Sequence, residues 1–202
     1  MTKQEQTMRV LVACEYSGIV RDAFLRRGHD AMSCDVLETE SPGPHYQGDV
    51  RDVLDGSWDM VIAHPPCTRL TKAGVRWLHE RNLWAELDDA CAFFRLFFGS
   101  APMVAIENPQ PHRYAVERIG RRHSQSIQPH QFGHPERKEI CLWLEGLPPL
   151  MDTDNVYLEM DRLPKRLQHR THYAAPGPDR AKERSRFFPG VADAMAEQWG
   201  GT

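Results

Sequence analysis

Short apolar runs alternate with helical patterns through the first 110 residues, and each run stops at a turn carrying polar or reactive side chains. Residues 8–14 (MRVLVAC) read as a buried strand, 19–27 (IVRDAFLRR) as a helix with Gly28 just past its end, and 31–35 as a second strand. Pro42, Gly43 and Pro44 break a loop, 49–54 allow a turn of helix, and 58–63 (WDMVIA) make a third strand. A helix over 83–98 and a strand over 103–107 (MVAIE) follow. Such βαβ alternation predicts an α/β fold, a mostly parallel sheet with helices on both faces. Beyond residue 100 lie 11 of the 15 prolines, so the second half is expected to be loop-rich, with one clear strand at 139–144 and a terminal helix at 191–199. One domain, 1–202, is expected. Residues 145–186 read as an excursion from it, since Leu147, Leu150, Tyr157, Leu163, Leu167 and Tyr173 spread apolar contacts through that stretch.

In an open parallel sheet, ligands bind outside the carboxyl ends of the strands. The first strand ends in Cys14-Glu15-Tyr16-Ser17-Gly18, a small-residue turn opening a helix at Ile19 whose N-terminus can face a polar or anionic group. Asp35, with Val36, closes the second strand where an acid meets ribose hydroxyls, and Gly48-Asp49-Val50 adds an acid and an apolar side chain suited to adenine. Each feature also fits an ordinary βα turn or a solvated acid; together they favour an adenosine-containing cofactor. Pro65 and Pro66 stiffen the turn after the third strand and present Cys67 as a nucleophile would be presented. Cys14, Cys34, Cys91 and Cys141 read as small buried hydrophobes. Glu107-Asn108-Pro109 ends the next strand with a carboxylate that could serve as a general acid.

The net charge of −3 does not by itself announce a nucleic-acid binder, but its distribution is uneven. Residues 1–110 carry 11 Lys and Arg against 16 Asp and Glu. Residues 161–186 carry eight (Arg162, Lys165, Arg166, Arg170, Arg180, Lys182, Arg184, Arg186) against Asp161, Asp179 and Glu183. That stretch suits phosphate, with a solvated basic loop as the alternative. The longest apolar run, 93–98, contains Arg95 and falls far short of the roughly 20 residues of a membrane span. The polar residues 1–8 lack a signal peptide's apolar core, so a cytoplasmic location is expected. Five cysteines without a C-x-x-C pair speak against a disulfide framework or a Cys-only zinc site. His123, His130 and His134 leave a zinc site open, though Pro129 and Pro135 favour loop there.

The motifs VACEYSG, SCDV, GDV, HPPCTRL, IENP, FGHPERKEICLWL and FPGVADAMAEQWG occur in an order that resembles the DNA (cytosine-5) methyltransferases, most closely the short phage-type members. The resemblance covers most of 8–146 and the final segment. It implies the Rossmann-like fold of S-adenosylmethionine-dependent methyltransferases and DNA as partner, with the target cytosine flipped into the site. In that family a cysteine thiolate adds to carbon 6 of cytosine and the resulting enamine attacks the sulfonium methyl; Cys67 matches the cysteine. Glu107 matches the glutamate that protonates N3, and Pro66 the proline whose carbonyl lies near the cytosine amino group, with Asn108 beside it. The implied cofactor contacts are Glu15, Tyr16, Ser17, Gly18 and Ile19 beneath the methionine portion, Asp35 and Val36 at the ribose, Asp49 and Val50 at the adenine, and Pro65.

Three departures from the family pattern carry expectations of their own. Its Gln-x-Arg-x-Arg motif is degraded to His134-Pro135-Glu136-Arg137-Lys138, with Arg137 and Lys138 left to hold the cytosine carbonyl or a phosphate. Arg186-Phe187-Phe188-Pro189-Gly190 replaces the family's Gly-Asn. Arg184 and Arg186 would suit a carboxylated S-adenosylmethionine derivative as well as the plain methyl donor. Only 145–186 stands in place of a target-recognition domain, so little sequence specificity is expected. Two rivals stay open: an amino-methyltransferase acting on adenine N6 or cytosine N4, and a non-catalytic nucleotide-binding or decoy module.

Overall fold

Strands whose every side chain is apolar must be covered on both faces, and the sheet is built that way. A computed structural model describes residues 6–173, 177 and 184–201. Its strands are β1 (Arg9–Ala13), β2 (Asp30–Asp35), β3 (His45–Gln47), β4 (Met60–Ala63), β5 (Met103–Asn108), β6 (Gln125–Ile127) and β7 (Ile140–Glu145), in the order β3-β2-β1-β4-β5-β7-β6. The pairs β3-β2, β2-β1, β1-β4 and β4-β5 are parallel; β7 runs antiparallel between β5 and β6. This is an α/β, Rossmann-like, mostly parallel sheet.

Alternation along the strands divides the core in two. Val10, Val12, Met60, Ile62, Ala105 and Leu142 face α1 (Ile19–Arg26) and α7 (Pro189–Gly200), packing on Val20, Phe24, Val191, Met195 and Trp199. Leu11, Ala13, Val61, Ala63, Val104, Ile106 and Trp143 face α3 (Trp84–Arg95) and α4 (Arg113–Ile119), packing on Leu87, Cys91, Phe94, Ala115 and Ile119. The expected helices therefore do cover both faces. Among the described residues, no helix is long and apolar enough to cross a membrane.

The predicted strands and long helices lie within a few residues of their expected bounds. Unpredicted are β3, β6, α2 (Val75–Glu80), α4, and two short helices in the excursion, α5 (Tyr157–Arg162) and α6 (Lys165–Gln168). All are short, and an element of three to seven residues shows too little periodicity to read. The excursion is consequently less loop-like than expected. Of its basic residues, Arg180 and Lys182 lie outside the described residues, as do Asp179 and Glu183.

Candidate active site at the strand ends

The turn after β1 is held by a carboxylate. Cys14 lies in the left-handed region (φ 59°), reversing the chain so that Glu15 turns back under α1. The buried Glu15 carboxylate accepts from Val20 N (2.7 Å), Arg21 N (3.2 Å) and Ser17 Oγ (3.2 Å). It caps a helix whose N-cap residue, Gly18 (φ 74°), has no side chain to do so. This corrects the expectation that the helix N-terminus faces a ligand anion: the chain's own Glu15 occupies it. A Cβ at Gly18 would also stand 2.5 Å from the Arg21 guanidinium. Arg21 is fully buried and tied to Ser33 Oγ (3.1 Å) and the Ser41 carbonyl (2.9 Å). Replacing Glu15 by Ala strands two buried N–H groups, so Glu15→Ala should lower unfolding free energy by about 1–3 kcal/mol in urea melts. An unchanged midpoint would remove the cap from the account.

Asp35 and Asp49 follow at neighbouring strand ends. Asp35 Oδ1 accepts from Leu37 N (2.9 Å), its other oxygen has no partner among the described residues, and Val36 beside it is 70% exposed. Asp49 is exposed; its bonds from Arg51 N and the Arg51 guanidinium hold its carboxyl below the usual range, and Val50 next to it is buried.

The Pro-Pro turn and the end of β5 form one braced unit. Asn108 Nδ2 donates to the Pro65 carbonyl (2.7 Å), His112 Nε2 to the Arg69 carbonyl (2.9 Å), and His112 N to the Leu70 carbonyl (2.9 Å). His112 Nδ1, in turn, accepts from Ala115 N and starts α4. On this brace Pro66 and Cys67 are exposed. Atoms still crowd the Cys67 sulfur. That burial, then the Glu107 carboxylate, push its thiol above the ordinary range, while Lys138 and Arg184 pull it back. Burial holds the Cys34, Cys91 and Cys141 thiols at about 11, as befits inert core cysteines.

Glu107 has a partner that sequence reasoning left out. His64 Nδ1 lies 3.2 Å from Glu107 Oε2, and both side chains are only 12% exposed. The β4-β5 register pairs Ala63 with Ile106, so the two residues just past that pair meet at the sheet's edge. That register was readable in principle, since both runs end in a turn at the same point.

The degraded 134–138 motif divides its work. Buried Glu136 accepts from Thr171 N (2.8 Å) and Thr171 Oγ1. Arg137, expected against the cytosine carbonyl or a phosphate, is instead committed to Asp161 (3.2 Å), Gln168 Oε1 (3.1 Å) and the Tyr157 ring (5.4 Å). Lys138 is the member brought toward Cys67; its Nζ donates to the Arg184 carbonyl (3.1 Å) and lies over Phe188. The 184–188 segment crosses the crevice mouth: Tyr16 Oη meets Ser185 Oγ (3.1 Å), Arg186 pairs with Glu40 (2.6 Å), and Phe187 lies 4.8 Å from the His64 ring. Arg186 thus holds an acid of the chain itself where a ligand carboxylate was expected.

The three histidines do not converge. His123 bonds Ser126, His130 packs on Tyr157, and His134 Nε2 accepts from Gly190 N. Among the described residues, no group of three His, Cys, Asp or Glu side chains could hold a metal ion.

No protein-family model matches the chain, and no curated protein does. Among solved structures it is similar to the bifunctional kinase-methyltransferase WbdD, at 14% identity over 73% of this chain and 36% of that one, with a TM-score of 0.40. WbdD co-crystallised with the kinase inhibitor LY294002 gives 14%, 74%, 38% and 0.40. A further WbdD crystal structure gives 13%, 74%, 38% and 0.40. The chain spans well under half of the WbdD chains it matches.

Proposed function

We propose that this chain transfers a methyl group, or a modified methyl group, from S-adenosylmethionine or a derivative to carbon 5 of cytosine in DNA. The observation that carries this reading is the braced unit itself: an exposed Cys67 on a Pro-Pro turn, with the Glu107 carboxylate close enough to act on its thiol. A pyrimidine ring set against the two has a nucleophile for carbon 6 and an acid for N3, the pair that makes carbon 5 nucleophilic.

The donor set at the strand ends fits the adenosine half of the cofactor. Asp35 offers hydroxyls an oxygen that has no partner among the described residues, and Asp49 offers an acid; with Val50 buried in the core, the exposed Val36 is the apolar side chain left to meet the cofactor. Tyr16, Ser17 and Ile19 would lie under the methionine half. When bound, S-adenosylmethionine supplies an electrophilic methyl group. Cys67 holds the base through carbon 6, Glu107 holds the N3 proton, and the 184–188 segment limits water.

Mass spectrometry of nucleosides from DNA incubated with each donor tests the reading. Cytosine gaining mass at carbon 5 is the expected product; N4-methylcytosine or N6-methyladenine would replace it with the amino-methyltransferase alternative.

DNA is the substrate favoured by the basic residues of α5, α6 and the turn that follows them. Arg162, Lys165, Arg166 and Arg170 are exposed without ion-pair partners among the described residues, and Arg137 neutralises the nearby Asp161. Four phosphate contacts would give log K against log salt a slope of about −3 to −4. Affinity for duplex DNA should therefore fall on the order of 100-fold between 50 and 200 mM salt. Salt-independent binding, or activity confined to deoxycytidine monophosphate, would rule the polymer out.

A further inference from the structure

The end of β4 places a histidine against the carboxylate to which the proposed chemistry assigns the acid role. His64 N donates to the Ala13 carbonyl (2.9 Å), which fixes the residue over the β1-β4 seam. Its ring is covered by Phe187, its Nδ1 meets Glu107 Oε2 at 3.2 Å, and its buried Nε2 has no partner among the described residues. Facing a carboxyl oxygen, Nδ1 is the nitrogen that carries the hydrogen. Glu107 Oε1 has no partner among the described residues, so the two oxygens of one carboxyl are unequal: one held, one open.

We propose that His64 is a positioning residue whose Nδ1–H occupies Glu107 Oε2, so that the proton Glu107 gives to the target base sits on Oε1. The inference rests on the cytosine-5 reading and goes beyond it, because it says which oxygen acts and what selects it. Glu107 takes up its Oε1 proton from water as the base binds; as the Cys67 thiolate then forms its bond to carbon 6, the C5=C6 pair moves to C4=C5. The C4=N3 pair moves onto N3, which takes the Oε1 proton. Glu107 is left as a carboxylate, and the Nδ1–H bond to Oε2 strengthens as that charge appears. Without the donor, the acid proton divides between two oxygens and the carboxyl can rotate away from the base.

Three proteins test this on duplex DNA containing 5-fluorocytosine: the wild type, His64→Leu and His64→Asn. The amide nitrogen of Asn sits close to the place of Nδ1 and restores a donor; Leu fills space without one. His64→Leu should lose roughly 10- to 100-fold in covalent-adduct rate and kcat, with KM for DNA and for S-adenosylmethionine unchanged. His64→Asn should recover most of the rate. Equal rates in all three, or equal loss in both variants, would overturn the role of the donor. Absence of any adduct in the wild type would instead remove the cytosine-5 reading itself. If the Leu variant fails to fold, His64→Ala takes its place beside His64→Asn: neither overfills the site and only Asn donates. Equal rates for that pair would overturn the proposal too.

Discussion

Cys67→Ala should abolish turnover and leave no covalent complex on 5-fluorocytosine DNA, while binding of S-adenosylmethionine stays at the wild-type level. The fluorine at carbon 5 cannot leave as a proton does, so a wild-type adduct persists through denaturation and shows directly on a gel. Cys14, Cys34, Cys91 and Cys141 cannot substitute: three are fully buried, and burial keeps all four thiols protonated near neutral pH. Cys67 is itself pushed above the ordinary thiol range, so little thiolate is present at pH 7 and the adduct rate should climb as pH rises toward the thiol's own value. Lys138 pulls the thiol down. Lys138→Met should therefore shift that climb to higher pH and slow the reaction near neutrality. An adduct surviving Cys67→Ala would take the nucleophile away from this turn altogether.

Why so much of this was legible follows from where the information lies in the chain. Four-residue β4 is entirely buried, as is all of β1 but Arg9, and a fully apolar run between turns has few other places to go. The alternation then separates the two helix layers with no further input. β3 is different. His45, Tyr46 and Gln47 carry no apolar run, and they become a strand because β2 offers free backbone partners over Ser33–Asp35. Strand β7 was legible as a strand but not in its direction, which depends on its antiparallel pairing with both β5 and β6.

The site divides along the same line. Cys67, Asp35 and Glu107 could be singled out because each stands where a strand stops, and position alone gave them access to the crevice. What their neighbours do could not be read that way. Arg137 and Arg186 look like free cations in the sequence, yet Asp161 and Glu40 satisfy them, and neither acid is near its partner in the chain. Glu15 looked like part of a ligand turn and proves to be a helix cap, because only the fold shows that Gly18 leaves the N-terminus of α1 open. His64 was visible as the residue before two prolines, but its pairing with Glu107 depends on the β4-β5 register.

The second large effect falls on Glu107. Glu107→Gln preserves volume, and the Gln carbonyl can take the place of Oε2 in accepting the His64 Nδ1–H, so the folded structure and its melting temperature should not change. What disappears is the transferable proton. An amide N–H can offer N3 a hydrogen bond but cannot leave a proton on it, so the developing charge on the ring goes unneutralised as Cys67 adds to carbon 6. General acid help is typically worth about 10²–10⁴ in rate, and kcat should fall by that order. The same substitution removes the carboxylate that raises the Cys67 thiol. Simple alkylation of Cys67 by iodoacetamide should then run faster in Glu107→Gln even as methyl transfer slows. Opposite movement of the two rates separates loss of the acid from general damage to the site, since a disordered turn would not leave a more reactive thiol and a binding-competent pocket together. A near-wild-type kcat would take Glu107 out of the chemistry and leave it a structural partner of His64.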